Sequence, residues 1–346
     1  MPTLWFCLVA TLLAGYVVLD GFDLGAGIVH LVVAKNDAER RSVLASIGPV
    51  WDGNEVWLLA AGGTMYFAFP VLYAASFSGF YLALMIVLWL LILRGIAIEF
   101  RSHIHSELWQ NFWDVIFAGA SALLAVFFGT ALGNVVRGVP LNDEGSFFLA
   151  LWTDFQPSPQ PGIVDWYTLL VGITAFVTMA LHGALWIALK TESELQTRCR
   201  RFARRLWMIA LPLVTLVSTA SFSIQPLLLQ SFQERPWGII FPAVAAAGLL
   251  GVLLFLRRSD DGKAFLSSCA FILGLLSSVA AGLYPNVLPS SVDNAKGLTI
   301  VNASASTYGL RVGLIWFVPA YALALGYTVL VYRHFAGKIG ADPHGH

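Results

Sequence analysis

The chain has 346 residues, of which 58% are hydrophobic and only 12% are charged. Soluble domains have about 25% charged residues, so these proportions exclude a water-facing globular enzyme and a disordered chain. Basic and acidic residues balance at 20 each, which leaves no basic surplus for nucleic-acid binding. The three cysteines, Cys7, Cys199 and Cys269, form no CxxC or CxxCH motif and have no zinc-ligand spacing.

Nine apolar stretches follow one another along the chain. A hydrocarbon core of about 30 Å requires roughly 20 apolar residues per helix. The first stretch lacks the basic start of a signal peptide and contains two aspartates, so it predicts a retained membrane helix. The sequence therefore predicts an all-α polytopic membrane protein with nine transmembrane helices. These predicted spans are residues 4–33, 50–69, 74–100, 114–136, 164–189, 206–225, 237–256, 265–284 and 307–333.

Basic residues accumulate on one side of this predicted topology. With the N-terminus outside, 16 of the 20 Lys and Arg residues fall on the inner side. This bias predicts an outer N-terminus and a cytoplasmic C-terminus. The longest inner connector, 191–205, is dense in arginine, which indicates a determinant of topology that also touches anionic lipid.

Carboxylates lie inside three consecutive predicted spans at a similar depth. Asp20 and Asp23 are three residues apart in the first span and therefore share a face. The second span begins with Asp52 and Glu55, which are also three residues apart. The third span ends with the remaining members of this layer, Arg94, Glu99 and Arg101.

These charged groups are too costly to face lipid. An acidic side chain in the membrane centre costs roughly 2.5–3.5 kcal/mol on insertion scales, so the groups should face one another or a wet cavity. Carboxylates in such a mixed cluster can exchange protons near neutral pH. This favours a proton-uptake site on the cytoplasmic side, above all for Asp20 and Asp52. For Glu55 and Glu99 structural roles are favoured instead: Glu55 stabilises the start of its helix and Glu99 pairs with Arg94 or Arg101, while Asp23 fits either interpretation.

Glycine and histidine in the spans have plainer explanations. Gly21-xxx-Gly25 is typical of close helix packing. Only His30 and His182 fall within predicted spans. His30 is near an inner helix end, and we expect it to cap the helix or to snorkel. We expect His182 to form a hydrogen bond between helices. Haem ligation by this chain is not favoured.

Four ordered segments resemble the second subunit of cytochrome bd-type quinol oxidases. The match is strongest in the first third of the chain, and LHGALWIALKT at 181–191 extends it. The segments are GYVVLDGFDLGAG at 15–27, IGPVWDGNEVWL at 47–58, FPVLYAASFSGFY at 69–81 and RGIAIEFRS at 94–102.

The resemblance implies a single membrane domain, 1–346, in a bacterial inner membrane. It would comprise a four-helix bundle in 1–136, a second in 164–284 and a ninth helix at 307–333. The partner, subunit I, would carry haems b and d and oxidise quinol on the outer side, while oxygen is reduced to water with cytoplasmic protons. This subunit would ligate no haem, would support subunit I and would be inactive alone. A structural quinone and a small single-helix accessory subunit are further features that the resemblance allows.

Residue roles also follow from the resemblance. Trp51 and Asp52 would line the proton route, Asp20 would contribute an acid to it, and Trp57 matches a tryptophan near a proposed oxygen route. The remaining residues assigned to the route are Asp23, Asn54 and Glu55, and those assigned to supporting ion pairs are Arg94, Glu99 and Arg101.

Two other functions remain open at this point. A proton-coupled secondary transporter would also place acids within the membrane, although no predicted span has the mid-membrane break expected at its substrate site. A scaffold without any proton role would tolerate neutral replacement of all five inner carboxylates.

Overall fold

The computed structural model describes residues 1–158, 161–293 and 296–339, and this part of the chain is predominantly helical. A short 3-10 turn at Pro236–Ile239 precedes the tenth helix, and a two-stranded antiparallel hairpin is formed by β1 (Asn286–Leu288) and β2 (Leu298–Thr299). The helices are α1 (Pro2–Val33), α2 (Asp37–Ile47), α3 (Trp51–Ala68), α4 (Pro70–Gly79), α5 (Tyr81–Phe100), α6 (Glu107–Arg137), α7 (Trp166–Lys190), α8 (Ser193–Ile224), α9 (Pro226–Glu234), α10 (Ile240–Arg257), α11 (Asp261–Leu283) and α12 (Thr307–His334).

Eight helices in the described ranges are long and apolar enough to cross a membrane. They are α1, α5, α6, α7, α8, α10 with its preceding turn, α11 and α12. This confirms the predicted all-α polytopic membrane class. The predicted second span corresponds to α3, whose 18 residues begin with the polar sequence WDGNE. Nine crossings and a division into two four-helix bundles stay predictions.

The predicted span 74–100 is not one continuous helix. Backbone geometry breaks it at Phe80, between α4 and α5. The segment between α6 and α7 docks at this point, because the Leu149 amide donates to the Gly79 carbonyl at 3.4 Å. A β-carbon on Gly79 would lie 2.2 Å from the Phe147 ring, so only glycine fits against that side chain.

The predicted inner connector 191–205 is largely helical, contrary to expectation. Helix α8 already begins at Ser193 and continues for 32 residues. Leu195, Cys199, Ala203 and Leu206 are buried at helical spacing, while arginines occupy the exposed side. This amphipathic pattern explains why the segment folds onto the protein.

The described parts of the connectors 137–163 and 285–306, which the predicted topology puts on the outer side, form an ordered cap. Val139 pairs with Ser290 across them, and apolar residues of both connectors share one buried cluster with the N-terminal end of α1. Arg137 forms a buried ion pair with Asp165, whose carboxylate also caps α7 by accepting from the Tyr167 and Thr168 amides. The cap therefore fixes the C-terminal end of α6 and the N-terminal end of α7.

Helix α1 runs through the interior and crosses α7 at very short range. A β-carbon on Gly25 would lie 2.0 Å from the Met179 carbonyl oxygen, and one on Gly183 would lie 2.1 Å from the Gly25 carbonyl carbon. Gly21 faces the Met179 sulfur in the same way. The small-residue motif of α1 thus brings two backbones together, as the sequence predicted.

Candidate functional site

A buried ion-pair triad joins α1, α3 and α5. Arg94 donates from Nη1 to Asp20 Oδ1 at 2.7 Å and from Nη2 to Glu55 Oε2 at 3.0 Å. The side chains of Asp20 and Arg94 are fully buried, whereas that of Glu55 is 25% exposed. One guanidinium therefore bridges a carboxylate in the interior and a carboxylate that reaches the surface.

A second polar chain begins one helical turn along α1. Asn54 Nδ2 donates to Asp23 Oδ2 at 2.7 Å and to the Leu19 carbonyl at 3.2 Å. The Tyr332 hydroxyl of α12 donates to Asn54 Oδ1 at 2.9 Å. Asp23 and Asn54 are both buried, so α12 is tied to the acidic face of α1 through a single amide.

The charges of this layer do not balance when all its carboxylates are ionised. Asp20, Asp23 and Glu55 face one guanidinium, that of Arg94. The second oxygens of Asp20 and Asp23 are buried without a hydrogen-bond partner in the described ranges. Burying an uncompensated charge is costly, so binding of a proton relieves the excess. The arrangement can therefore take up and release protons.

Two predicted members of the layer point elsewhere. Asp52 is exposed on α3 and takes no part in these hydrogen bonds and ion pairs. Glu99 is also exposed, and its predicted pairing with Arg94 or Arg101 is wrong within the part of the chain that the structure describes. Both arginines turn inward to other carboxylates, while Glu99 lies on a different face of α5.

The two tryptophans of the α3 motif lie at different places. Trp51 packs over Gly95, where a β-carbon would be 3.5 Å from its ring. Trp57 is buried against Gly15 and lies edge-to-face with Tyr321 at 6.0 Å between ring centroids. It borders an apolar groove of about 620 Å³ between α1, α3 and α12.

A second ionic cluster, which the sequence analysis missed, lies at the ends of α1 and α5. Asp114 of α6 is buried and accepts from His30 at 3.2 Å, Arg40 at 3.0 Å and Arg101 at 2.5 Å. Arg101 also contacts Asp37 at 2.7 Å. Asp114 is the first residue of the predicted span 114–136, so the rule that selected the other carboxylates could have found it.

The same end of the molecule is tied to α8. Glu39 of α2 forms an ion pair with Arg198 and accepts from the Lys35 amide at 2.6 Å. Burial acts to raise the pKa of Glu39, but these hydrogen bonds outweigh it and hold the pKa below its usual value. Glu39 therefore stays ionised and links the start of α2 to α8.

Both ring nitrogens of each buried histidine are engaged. His30 contacts the Gly27 carbonyl as well as Asp114, so it forms a buried pair rather than snorkelling. His182 contacts Ser268 Oγ at 2.7 Å and the Val18 carbonyl at 3.0 Å, which confirms the predicted bonds between helices. No cluster of three or more His, Cys, Asp or Glu side chains able to hold a metal occurs among the described residues.

A cavity of about 430 Å³ adjoins the polar chain. Its walls come from the turn between α2 and α3, from the end of α7 and from the end of α12. Ser46, Val50, Trp186, Lys190 and Tyr332 are among the lining residues. Tyr332 thus touches this cavity while its hydroxyl reaches Asn54.

These features define a multi-pass, all-α membrane protein with a buried acidic site. The model of the family described as cytochrome bd terminal oxidase subunit II matches residues 1–335, and the chain belongs to this family. It is therefore a subunit of a haem-containing quinol oxidase complex of the bacterial inner membrane, in which subunit I is its partner.

Individual relatives agree with this assignment. The chain is 32% identical to a probable cytochrome oxidase subunit 2 of Haemophilus influenzae, with 98% of this chain and 95% of the relative covered. It is 30% identical to the cytochrome bd ubiquinol oxidase subunit 2 of Bacillus subtilis, with 97% and 96% covered. The fold resembles a chain of the bd oxidase from Geobacillus thermodenitrificans with a TM-score of 0.74 at 15% identity, covering 96% of this chain and 98% of that chain.

Proposed function

We propose that this subunit supports the haem-bearing subunit I and helps to form the cytoplasmic proton route for reduction of oxygen to water. The observation that carries this proposal is the charge excess around Arg94: one buried guanidinium lies among two buried carboxylates, Asp20 and Asp23, and the partly exposed Glu55. Reduction of oxygen to water consumes protons. A group of carboxylates that binds and releases protons is suited to supply them to this reaction.

Protons would reach the layer from the cavity at the ends of α7 and α12. The Tyr332 hydroxyl lies between that cavity and Asn54, which in turn holds Asp23. An amide does not pass protons readily, so we assign Asn54 the role of orienting Asp23. Water in the cavity would exchange protons with the carboxylates, and Tyr332 would limit its access.

Asp52 would connect this layer to the partner. It lies one turn before Glu55 on α3, and its side chain is exposed on the surface of the isolated chain. An exposed carboxylate on a membrane-facing helix is costly unless another protein or water covers it. We therefore assign α3 to the contact with subunit I, as the ninth crossing segment, with Trp51 and Asp52 lining the route.

Asp52→Asn is expected to lower quinol-driven oxygen uptake by at least about tenfold while the haem spectrum stays unchanged. An amide has nearly the shape of the carboxylate but cannot exchange a proton, and positioned proton-transfer groups commonly contribute factors of this size or larger. Oxygen consumption and the reduced-minus-oxidised spectrum of the purified complex measure the two effects separately.

Glu107→Gln is the matched control, because Glu107 is an exposed carboxylate at the start of α6, outside the cluster. It should leave oxygen uptake unchanged. Unchanged uptake in the Asp52 variant would contradict the proton role, whereas loss of the haem signal would assign Asp52 to assembly.

Tyr332→Phe is expected to lower the free energy of unfolding by about 1 kcal/mol, the usual contribution of one hydrogen bond. The ring stays in place, but the bond to Asn54 Oδ1 is lost, so Asp23 is held less firmly. The thermal midpoint of the complex and its rate of oxygen uptake should both decrease slightly. Oxygen uptake should also be measured as a function of pH. A pH profile that differs between the variant and the parent complex would indicate that Tyr332 limits access of water.

A proton-coupled transporter is not favoured, because the whole chain matches an oxidase subunit family. The scaffold function is tested by the same Asp52 variant, since a scaffold predicts normal uptake. The outer N-terminus, the oxygen route near Trp57, the structural quinone and the accessory subunit stay predictions.

A further inference from the structure

Five arginines form an exposed patch on α8 and at the end of α10. This arginine patch consists of Arg201, Arg204, Arg205, Arg257 and Arg258. Arg204 donates to the Leu256 carbonyl at 2.8 Å, which joins the two helices. The other four side chains form no hydrogen bond or ion pair with residues 1–158, 161–293 or 296–339.

Three carboxylates near the patch pair with other basic residues. Asp261 binds Arg200 at 2.6 Å, and Asp260 binds Lys263 at 2.9 Å. Glu39 forms its ion pair with Arg198. None of these three carboxylates forms an ion pair with an arginine of the patch.

The helix lengths place this patch at the membrane surface. At 1.5 Å per residue, the 32 residues of α8 extend about 48 Å, well beyond a hydrocarbon core of about 30 Å. Arg201, Arg204 and Arg205 lie in its first half, which projects from the core, and Arg257 and Arg258 lie at the adjacent end of α10. One turn deeper, the exposed side chains become apolar, with Met208 and Ile209 on α8 and Leu250 and Leu254 on α10.

We propose that the arginine patch binds the headgroup of an anionic phospholipid, whose acyl chains lie along the apolar surfaces of α8 and α10. Guanidinium groups match phosphate oxygens with paired hydrogen bonds, and basic surfaces between membrane helices attract anionic headgroups. A ligand that fills this site needs both a phosphate and acyl chains, because the arginines and the exposed apolar side chains are adjacent along the same two helices. This site is separate from the buried carboxylates.

The test compares the purified, delipidated oxidase complex with its R201Q/R205Q/R258Q variant. Each complex is titrated with phosphatidylglycerol or phosphatidylcholine, and bound lipid is counted by native mass spectrometry. The parent complex should prefer phosphatidylglycerol. Each removed charge should weaken its binding roughly fivefold, which gives about a hundredfold loss for the triple variant.

The matched control, K35Q/R333Q/K338Q, removes three exposed cations outside the patch. It should bind phosphatidylglycerol as the parent does, and R201K/R205K/R258K should retain most binding because its charge is kept. Equal lipid binding by the parent and the glutamine variant would overturn the proposal. So would an equal loss in the control, or complete displacement of the lipid by inorganic phosphate at constant ionic strength.

The haem spectrum and the thermal midpoint of each variant separate loss of lipid from loss of folding. A glutamine variant that keeps both values and loses phosphatidylglycerol supports the site. If the glutamine variant fails to assemble, the lysine variant tests the proposal. The lysine variant should then prefer phosphatidylglycerol over phosphatidylcholine, and loss of this preference would overturn the proposal.

Discussion

Arg94→Leu is expected to abolish accumulation of the assembled oxidase. The substitution leaves Asp20 and Glu55 facing each other without their shared cation, and Asp20 is fully buried. Removing one partner of a buried ion pair costs about 3–5 kcal/mol, because the remaining charge stays desolvated. This is a large fraction of the 5–15 kcal/mol by which a typical domain is stable. Haem absorbance in solubilised membranes measures the amount of assembled complex.

The double variant Asp20→Asn/Arg94→Leu distinguishes charge from packing. It removes the stranded carboxylate together with the cation, so accumulation should recover in part, while Glu55 retains some access to solvent. Arg333→Gln, which changes an exposed arginine at the end of α12, should accumulate normally. If the single and double variants accumulate equally poorly, the packing of the guanidinium rather than its charge is what matters.

The membrane class was predictable because it depends on a one-dimensional property, the apolar content of consecutive segments. The polar start of α3 weakens that signal just where the site is built, and α3 is not among the eight helices of the described ranges that are long and apolar enough to cross a membrane. The break at Phe80 could not be predicted from local sequence. It depends on the docking of Phe147, which lies 67 residues further along the chain.

Helix geometry explains why only part of the predicted acidic layer comes together in the structure. Arg94 and Glu99 are five residues apart, which turns their side chains about 140° away from each other around α5. Arg94 and Arg101 are seven residues apart and therefore share the inward face. The sequence identified the residue types and their depth, whereas pairing partners depended on which face each helix turns inward.

Ion pairs and hydrogen bonds between residues far apart in the sequence could not be predicted either. Asp114 collects His30, Arg40 and Arg101 from three separate segments. No spacing rule within one helix predicts such a cluster, because contacts between helices arise from tertiary packing. The tie between Tyr332 and Asn54, which spans 278 residues, is hidden from sequence analysis for the same reason.

Gly25→Ala is expected to destabilise the complex by more than about 1 kcal/mol and to lower its thermal midpoint. In an ordinary helix interior, glycine-to-alanine replacement is favourable by about 1 kcal/mol, so the expected sign here is reversed. The added β-carbon would lie 2.0 Å from the Met179 carbonyl oxygen and 2.6 Å from the Gly183 amide nitrogen. Both contacts are backbone atoms, so α1 and α7 must separate, and the layer around Asp20 would move with α1.

Gly119→Ala is the matched control, because nothing lies within 4 Å of the added carbon in this part of α6. Its thermal midpoint should stay equal to that of the parent or rise slightly, as helix propensity alone predicts. Overpacking of a tight contact costs about 1–3 kcal/mol, so the two variants should shift in opposite directions. A midpoint that rises in both variants would mean that α1 and α7 cross at a greater distance than the Gly25–Gly183 contact requires.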